Sequence, residues 1–193
     1  AWNTMTPGRY TLATRVFASG EVEHPNGRPI ETARNSTIEL AQAGGTFLAV
    51  HSVSSGMSTG TDTRMQLLAN NGATMGSPLI MRIAGDQNQP VVGASETMFL
   101  VVWEEERLSG RNESRDLFAA RITKDGALLD PTGFPIATAP NAQFSASVAS
   151  DGTEFLVVWE DECENRFEPR IHAARVTKDG SVTEMDRITR IPR

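Results

Sequence analysis

The sequence predicts an all-β chain of repeated four-stranded antiparallel units, and three observations carry that reading. The hexapeptide FLVVWE occurs twice unchanged, at Phe99–Glu104 and Phe155–Glu160. Large and β-branched apolar side chains in an unbroken run ending in tryptophan read as a strand buried on both faces. The chain also aligns on itself. Phe47 to Phe99 spans 52 residues and Phe99 to Phe155 spans 56, while Arg15, Leu67, Arg121 and Arg175 are separated by 52, 54 and 54. Finally, no segment of about ten or more residues carries a helical period.

Each unit reads as an apolar strand, a tight turn, the FLVVW-type strand, a longer polar loop, a third strand, a turn of Lys-Asp-Gly type and a short fourth strand. In the C-terminal unit the expected strands are Ser145–Ala149, Glu154–Glu160, Arg170–Thr177 and Asp186–Ile191. Asp151-Gly152 and Asp179-Gly180 supply the positive φ that tight hairpins require. Lys124-Asp125-Gly126 and Asn70-Asn71-Gly72 hold the turn equivalent to the second of these, and Gly44-Gly45 is a hairpin turn by position. Pro25-Asn26-Gly27 and Pro131-Thr132-Gly133 precede fourth strands and forbid helix continuation. The expected division is a partial unit over residues 1–34 and full units over 35–86, 87–140 and 141–193. FLAVH at Phe47–His51 marks the divergent unit. Trp2 stands 13 residues before Arg15, where the later units have 18 and 16, so the first unit opens inside its second strand.

Four antiparallel strands recurring about every 40 to 55 residues, with a tryptophan closing one strand, are the pattern of β-propeller blades. The stretch DGTEFLVVWEDE…RIHAARVTKDG and its partner FLVVWEEE…DLFAARITKDGALLDPTGFPI further resemble a repeat common in large secreted and surface proteins of bacteria, a propeller-type family. The resemblance is strongest in the last two units, weaker over Thr37–Ala84 and partial at the N-terminus. It implies a propeller-like fold of about three and a half blades and a secreted or cell-surface location. It implies no activity.

Such an arc would expose two unpaired apolar faces. A larger arrangement is therefore expected, either a parent chain with more blades or two copies pairing into a ring of seven or eight; four-blade closure is the alternative. The formal charge of −6, with 18 scattered Lys and Arg, argues against nucleic acid and anionic membranes, which require a basic patch. No apolar run approaches the ~20 residues of a membrane-spanning helix. No charged, apolar leader precedes the first unit, so Ala1 is expected to be a mature N-terminus or a trimmed end. Cys163 is the single cysteine. It is flanked by Glu162 and Glu164, which raise a thiol pKa and so disfavour a nucleophile.

Strand order puts the loops between second and third strands on one rim with the loops joining successive units, and function is expected there. The loops differ: Ser52–Thr61 is rich in Ser, Thr and Gly, Glu105–Arg115 is of mixed charge, and Asp161–Pro169 is acidic with an arginine and a phenylalanine. Arg107, Arg111, Arg115, Asp161, Glu162, Arg166 and Phe167 are the candidate binding residues. Trp103, Glu104, Arg121, Trp159, Glu160 and Arg175 are expected to be structural. The unit with His51-Ser52 in place of Trp-Glu has Leu67 in place of the arginine, which suggests that these partners interact within a blade as a salt bridge or an arginine–indole stack. The runs Glu104-Glu105-Glu106 and Asp161-Glu162 read as solvated, although a carbohydrate-active propeller would use two such carboxylates as acid and base. Oxygen-rich loops could hold Ca²⁺, but no Asp-x-Asp-x-Asp-Gly spacing is present, and no cofactor or metal ligand set is expected. His24, His51 and His172 fall in unrelated contexts, the last two reading as packing substitutions. Two functions stay open: a non-catalytic module that binds protein or assembles with itself, and a lectin or glycoside hydrolase using the acidic rim. Phe167 is the only aromatic of the long loops apart from the strand-end tryptophans, which ranks protein partners above glycans.

Overall fold

The computed structural model describes residues 11–31, 37–54, 60–81, 83, 85–106, 115–162 and 169–185. Among them the chain is all-β with no helix. β1 (Thr11–Ala13) and β2 (Arg28–Glu31) form a two-stranded sheet. Three four-stranded sheets follow: β3 (Ile38–Ala43), β4 (Thr46–Ser54), β5 (Thr61–Leu68) and β6 (Thr74–Ile80); then β7 (Asp86–Ala94), β8 (Met98–Glu106), β9 (Arg115–Thr123) and β10 (Phe134–Ala137); then β11 (Gln143–Ser150), β12 (Glu154–Asp161), β13 (Arg170–Thr177) and β14 (Val182–Glu184). Strands pair antiparallel in chain order within each sheet, giving blade-like units.

The expected fourth strand of the last unit, Asp186–Ile191, lies outside the described residues. Among the described residues, pairing onto β13 begins at Val182, directly after the Lys-Asp-Gly turn that closes the hairpin. There Gly180 donates to Thr177 O at 2.9 Å and Thr177 to Ser181 O at 3.0 Å. The β7–β10 unit uses the same device: Ile122 bridges Leu128, the chain turns at Asp130–Gly133, and β10 then pairs with the earlier part of β9. Val16 bridges Val22 in the same way ahead of β2, so β1 and β2 are the third and fourth strands of the partial unit.

Successive side chains of a strand point to opposite faces, and β8 fills both. Phe99, Val101 and Trp103 join Leu48, Val50, Met65, Ala120 and Ile122 in one core. Leu100 and Val102 join Leu117, Ala119, Phe155, Val157 and Trp159 in the other. The identical sequence in β12 alternates instead, with Phe155, Val157 and Trp159 inward while Leu156 is 42% exposed. Burial on both faces therefore holds for the first copy of FLVVWE and not for the second. First strands adjoin across units, β7 against β3 and β11 against β7. Both carry a bulge, between Asn88 and Val91 and between Phe144 and Ser147, with positive φ at Gln89 and Ser145.

Candidate binding rim at the ends of the core strands

Residues two apart on a strand share a face, so Trp103 looks toward Glu105 and not toward Glu104. The Trp103 indole Nε1 donates to Glu105 Oε2 at 2.8 Å, and Trp159 Nε1 to Asp161 Oδ2 at 3.1 Å. Register sets Gln87 opposite Glu105 and Gln143 opposite Asp161. Gln143 Nε2 donates to Ala139 O and Asn141 O at 3.2 Å and to Asp161 Oδ1 at 3.4 Å; Gln87 Nε2 donates to Gly85 O at 2.7 Å. Each glutamine thus pins the loop entering its unit to the first strand. Glu104, Glu105 and Asp161 are all buried. The acidic runs are therefore not simply solvated, and Asp161, expected as a binding residue, is part of the frame. A buried carboxylate is tolerated where hydrogen-bond donors face it. The glutamines were not anticipated, although each stands 16 residues ahead of its tryptophan.

The expected pairing of Glu104 with Arg121, and of Glu160 with Arg175, does not form. Register puts Arg121 opposite Leu100 and Arg175 opposite Leu156, roughly 13 Å along the strand from the glutamates at ~3.3 Å per residue. Glu104 instead accepts from Arg115 Nη1 at 2.7 Å and, across to the next sheet, from the bulge amide of Ser145 at 3.0 Å. Arg121 forks onto Asp130, Nε to Oδ2 and Nη2 to Oδ1 both at 2.8 Å, and its Nη1 donates to Lys178 O of the next unit at 2.9 Å. The hydrogen bond from Arg121 holds the Asp130 carboxyl below the usual carboxylate range and raises the guanidinium in turn. Arg175 is mostly exposed, its Nη1 3.8 Å from Glu154.

The rim carries a cavity of about 410 Å³ whose walls mix hydroxyls and amides with apolar groups, with Glu39, Ser52, Ser54, Thr61, Asn88, Gln89 and Val91 among them. It lies where second strands end and first strands begin, on the rim singled out by strand order. Arg115 sits at this end of β9, its guanidinium 5.5 Å from the Phe144 ring. Glu162 is held through its main chain, its N–H donating to Ala142 O at 3.0 Å and its carbonyl accepting from Asn141 Nδ2 at 3.2 Å. Arg107, Arg111, Arg166, Phe167 and Cys163 lie outside the described residues. His172 packs 6.0 Å from Trp159, as Phe118 packs 6.5 Å from Trp103. Among the described residues no three His, Cys, Asp or Glu side chains gather as a metal site, and no helix is long and apolar enough to cross a membrane.

No family model matches the chain, and no curated protein does. Among solved structures it is similar to an ACO/RPE65 chimera (TM-score 0.47, 8% identity, 90% of this chain and 44% of that one). A variant of the Synechocystis apocarotenoid oxygenase gives a TM-score of 0.45 at 7% identity, again over 90% and 44%. An endo-1,4-beta-xylanase from Bacteroides thetaiotaomicron gives 0.48 at 11% identity, over 85% of this chain and 62% of that one. The chain spans less than two thirds of the length of each of these structures.

Proposed function

We propose that the chain is a non-catalytic propeller-type module of a secreted or cell-surface bacterial protein, acting by binding protein or by self-assembly. One observation carries the reading: the rim carboxylates that an enzyme would use are held in the frame. Glu105 and Asp161 receive the indole N–H groups and Glu104 receives Arg115 and Ser145. Among the described residues that line the cavity, Glu39 is the only carboxylate, whereas glycoside hydrolysis requires two about 5–10 Å apart. Extracellular placement rests on the likeness of the FLVVWED…AARVTKDG repeats to those of secreted and surface proteins. No cofactor enters this reading, and Ca²⁺ enters only as a control: EDTA should leave the melting midpoint unchanged.

A lectin-like role is the second reading, favoured by the hydroxyls and amides among the walls of the cavity. A polysaccharide panel assayed for new reducing ends, together with a glycan array, separates the two. The expected result is neither turnover nor glycan capture. Turnover abolished by Glu39→Gln at unchanged melting temperature would overturn the non-catalytic reading, and capture abolished by the same change would establish the second.

A further inference from the structure

One contact between successive units recurs at two junctions. The third-strand residue of one unit lies over the turn glycine of the next: Leu67 over Gly126, with Cδ1 2.5 Å from where a Cβ would stand, and Arg121 over Gly180, with Cζ at 3.0 Å. Apolar residues flank that contact. Leu100 and Leu117 are fully buried beneath the β11–β14 sheet, and Ile122 is fully buried against the β3–β6 sheet.

Both halves of the same contact recur uncovered in this chain. On the β11–β14 sheet, Arg175 takes the position of Arg121 and its side chain is 62% exposed. Leu156 and Ile171 take those of Leu100 and Leu117 and are 42% and 45% exposed. In the N-terminal unit, Gly20 takes the position of Gly126 and Gly180 and has nothing within 4 Å of a Cβ. Val16 and Val22 take those of Ile122 and Leu128 and are 61% and 39% exposed. Arg175 and Gly20 are thus the separated partners of a contact the fold makes twice elsewhere.

We propose that the exposed face of the β11–β14 sheet docks the N-terminal unit of a second copy of this chain, Arg175 reaching the carbonyls of the Ala18-Ser19-Gly20 turn and Leu156 and Ile171 covering Val16 and Val22. The match is heterologous, so copies add head to tail and close into a ring where the rotation allows. A second copy is the occupant because the complementary half lies on the chain itself, and among the described residues of one copy Gly20 has no neighbour within 4 Å of a Cβ and Arg175 is mostly exposed. The inference rests on the self-assembly part of the proposed function and names its surface.

Two variants, each in a Cys163→Ser background, test it: one chain carrying Arg175→Cys, the other Ser19→Cys. Mixing them with a short bismaleimide should give a covalent heterodimer that neither chain gives alone, and light scattering of the unmodified protein should give at least two chains per particle. Leu156→Glu should weaken association at least about tenfold, as expected for removing one buried leucine, with an unchanged circular dichroism spectrum. In a third variant carrying both Arg175→Cys and Ser19→Cys, cross-linking confined to single chains would assign the face to the chain's own N-terminal unit. That outcome, or a single-chain mass at all concentrations, overturns the proposal. A protein that is monomeric and shows no hydrolase activity sinks this interface alone, whereas turnover sinks the functional reading.

Discussion

Glu105 and Asp161 each close a strand by accepting the N–H of the tryptophan two residues before them. Replacing Glu105 by alanine leaves a buried indole donor unsatisfied, which costs about 1–3 kcal/mol. Urea denaturation should register that loss for Glu105→Ala and for Asp161→Ala, while Glu160→Gln should change stability by less than about 0.5 kcal/mol. Equal losses from Glu160→Gln would contradict the assignment of roles. The sequence made the wrong glutamate conspicuous. In the divergent unit Trp-Glu and the arginine are lost together, but joint loss does not say which atoms touch, and a period of two sends the neighbour of a tryptophan to the opposite face. The arginine answers to Asp130, nine residues on and across a turn whose geometry is not written in strand spacing. Acid titrates this set in one direction. Asp130, Asp151 and Asp179 all have carboxyls held below their ordinary value, by hydrogen bonds from Arg121, from the Glu154 amide and from the Thr177 hydroxyl respectively, and Asp151 falls to about 2. A carboxyl depressed in the folded state stabilises the fold above its unfolded pKa, and that contribution disappears as pH falls through the folded value. Stability should therefore decline between about pH 4 and pH 2, and Asp130→Asn should flatten the slope of urea midpoint against pH in that window.

Strand identity and order were legible because both rest on periodicity and on turn residues that need positive φ; the environment of each strand was not. FLVVWE is the same six residues in β8 and β12, yet Leu100 is fully buried and Leu156 is 42% exposed. Leu100 packs beneath the β11–β14 sheet, and no local pattern encodes such a neighbour. Leu100→Ala should cost about 2–5 kcal/mol, the range for a leucine deleted from a packed core, whereas Leu156→Ala at low protein concentration should cost less than about 1 kcal/mol. A matched loss at both sites would mean that the two copies are packed alike. The bulges at Gln89 and Ser145 escaped the sequence for another reason: positive φ is held there by a non-glycine residue, so the usual glycine signal is absent. In β11 the bulge turns the Ser145 amide toward Glu104 of the preceding sheet, and a strand irregularity thereby becomes a joint between units.

A stack of units in which each contacts its neighbours has a stability that is approximately a sum of unit terms and interface terms. Damage at one interface should then release one side of the stack and spare the other. Gly93 allows a direct test. It sits in β7 at a place where the adjoining units have Ala41 and Ala149, and a Cβ there would stand 2.9 Å from Val148 Cγ2 of β11. Its φ is not positive, so the demand for glycine comes from the close approach of the next unit and not from its own backbone. Gly93→Ala should therefore act by overpacking, at about 1–3 kcal/mol, and the strain should fall on the β7–β11 contact. Hydrogen exchange should show amides of β11–β14 losing protection while those of β3–β6, on the far side of β7, keep theirs. Because the proposed docking face belongs to the sheet so loosened, the same variant should also give smaller particles in light scattering. Uniform loss of protection across all three sheets would instead mean that the stack unfolds as one cooperative body, with the interface between units no weaker than the units themselves.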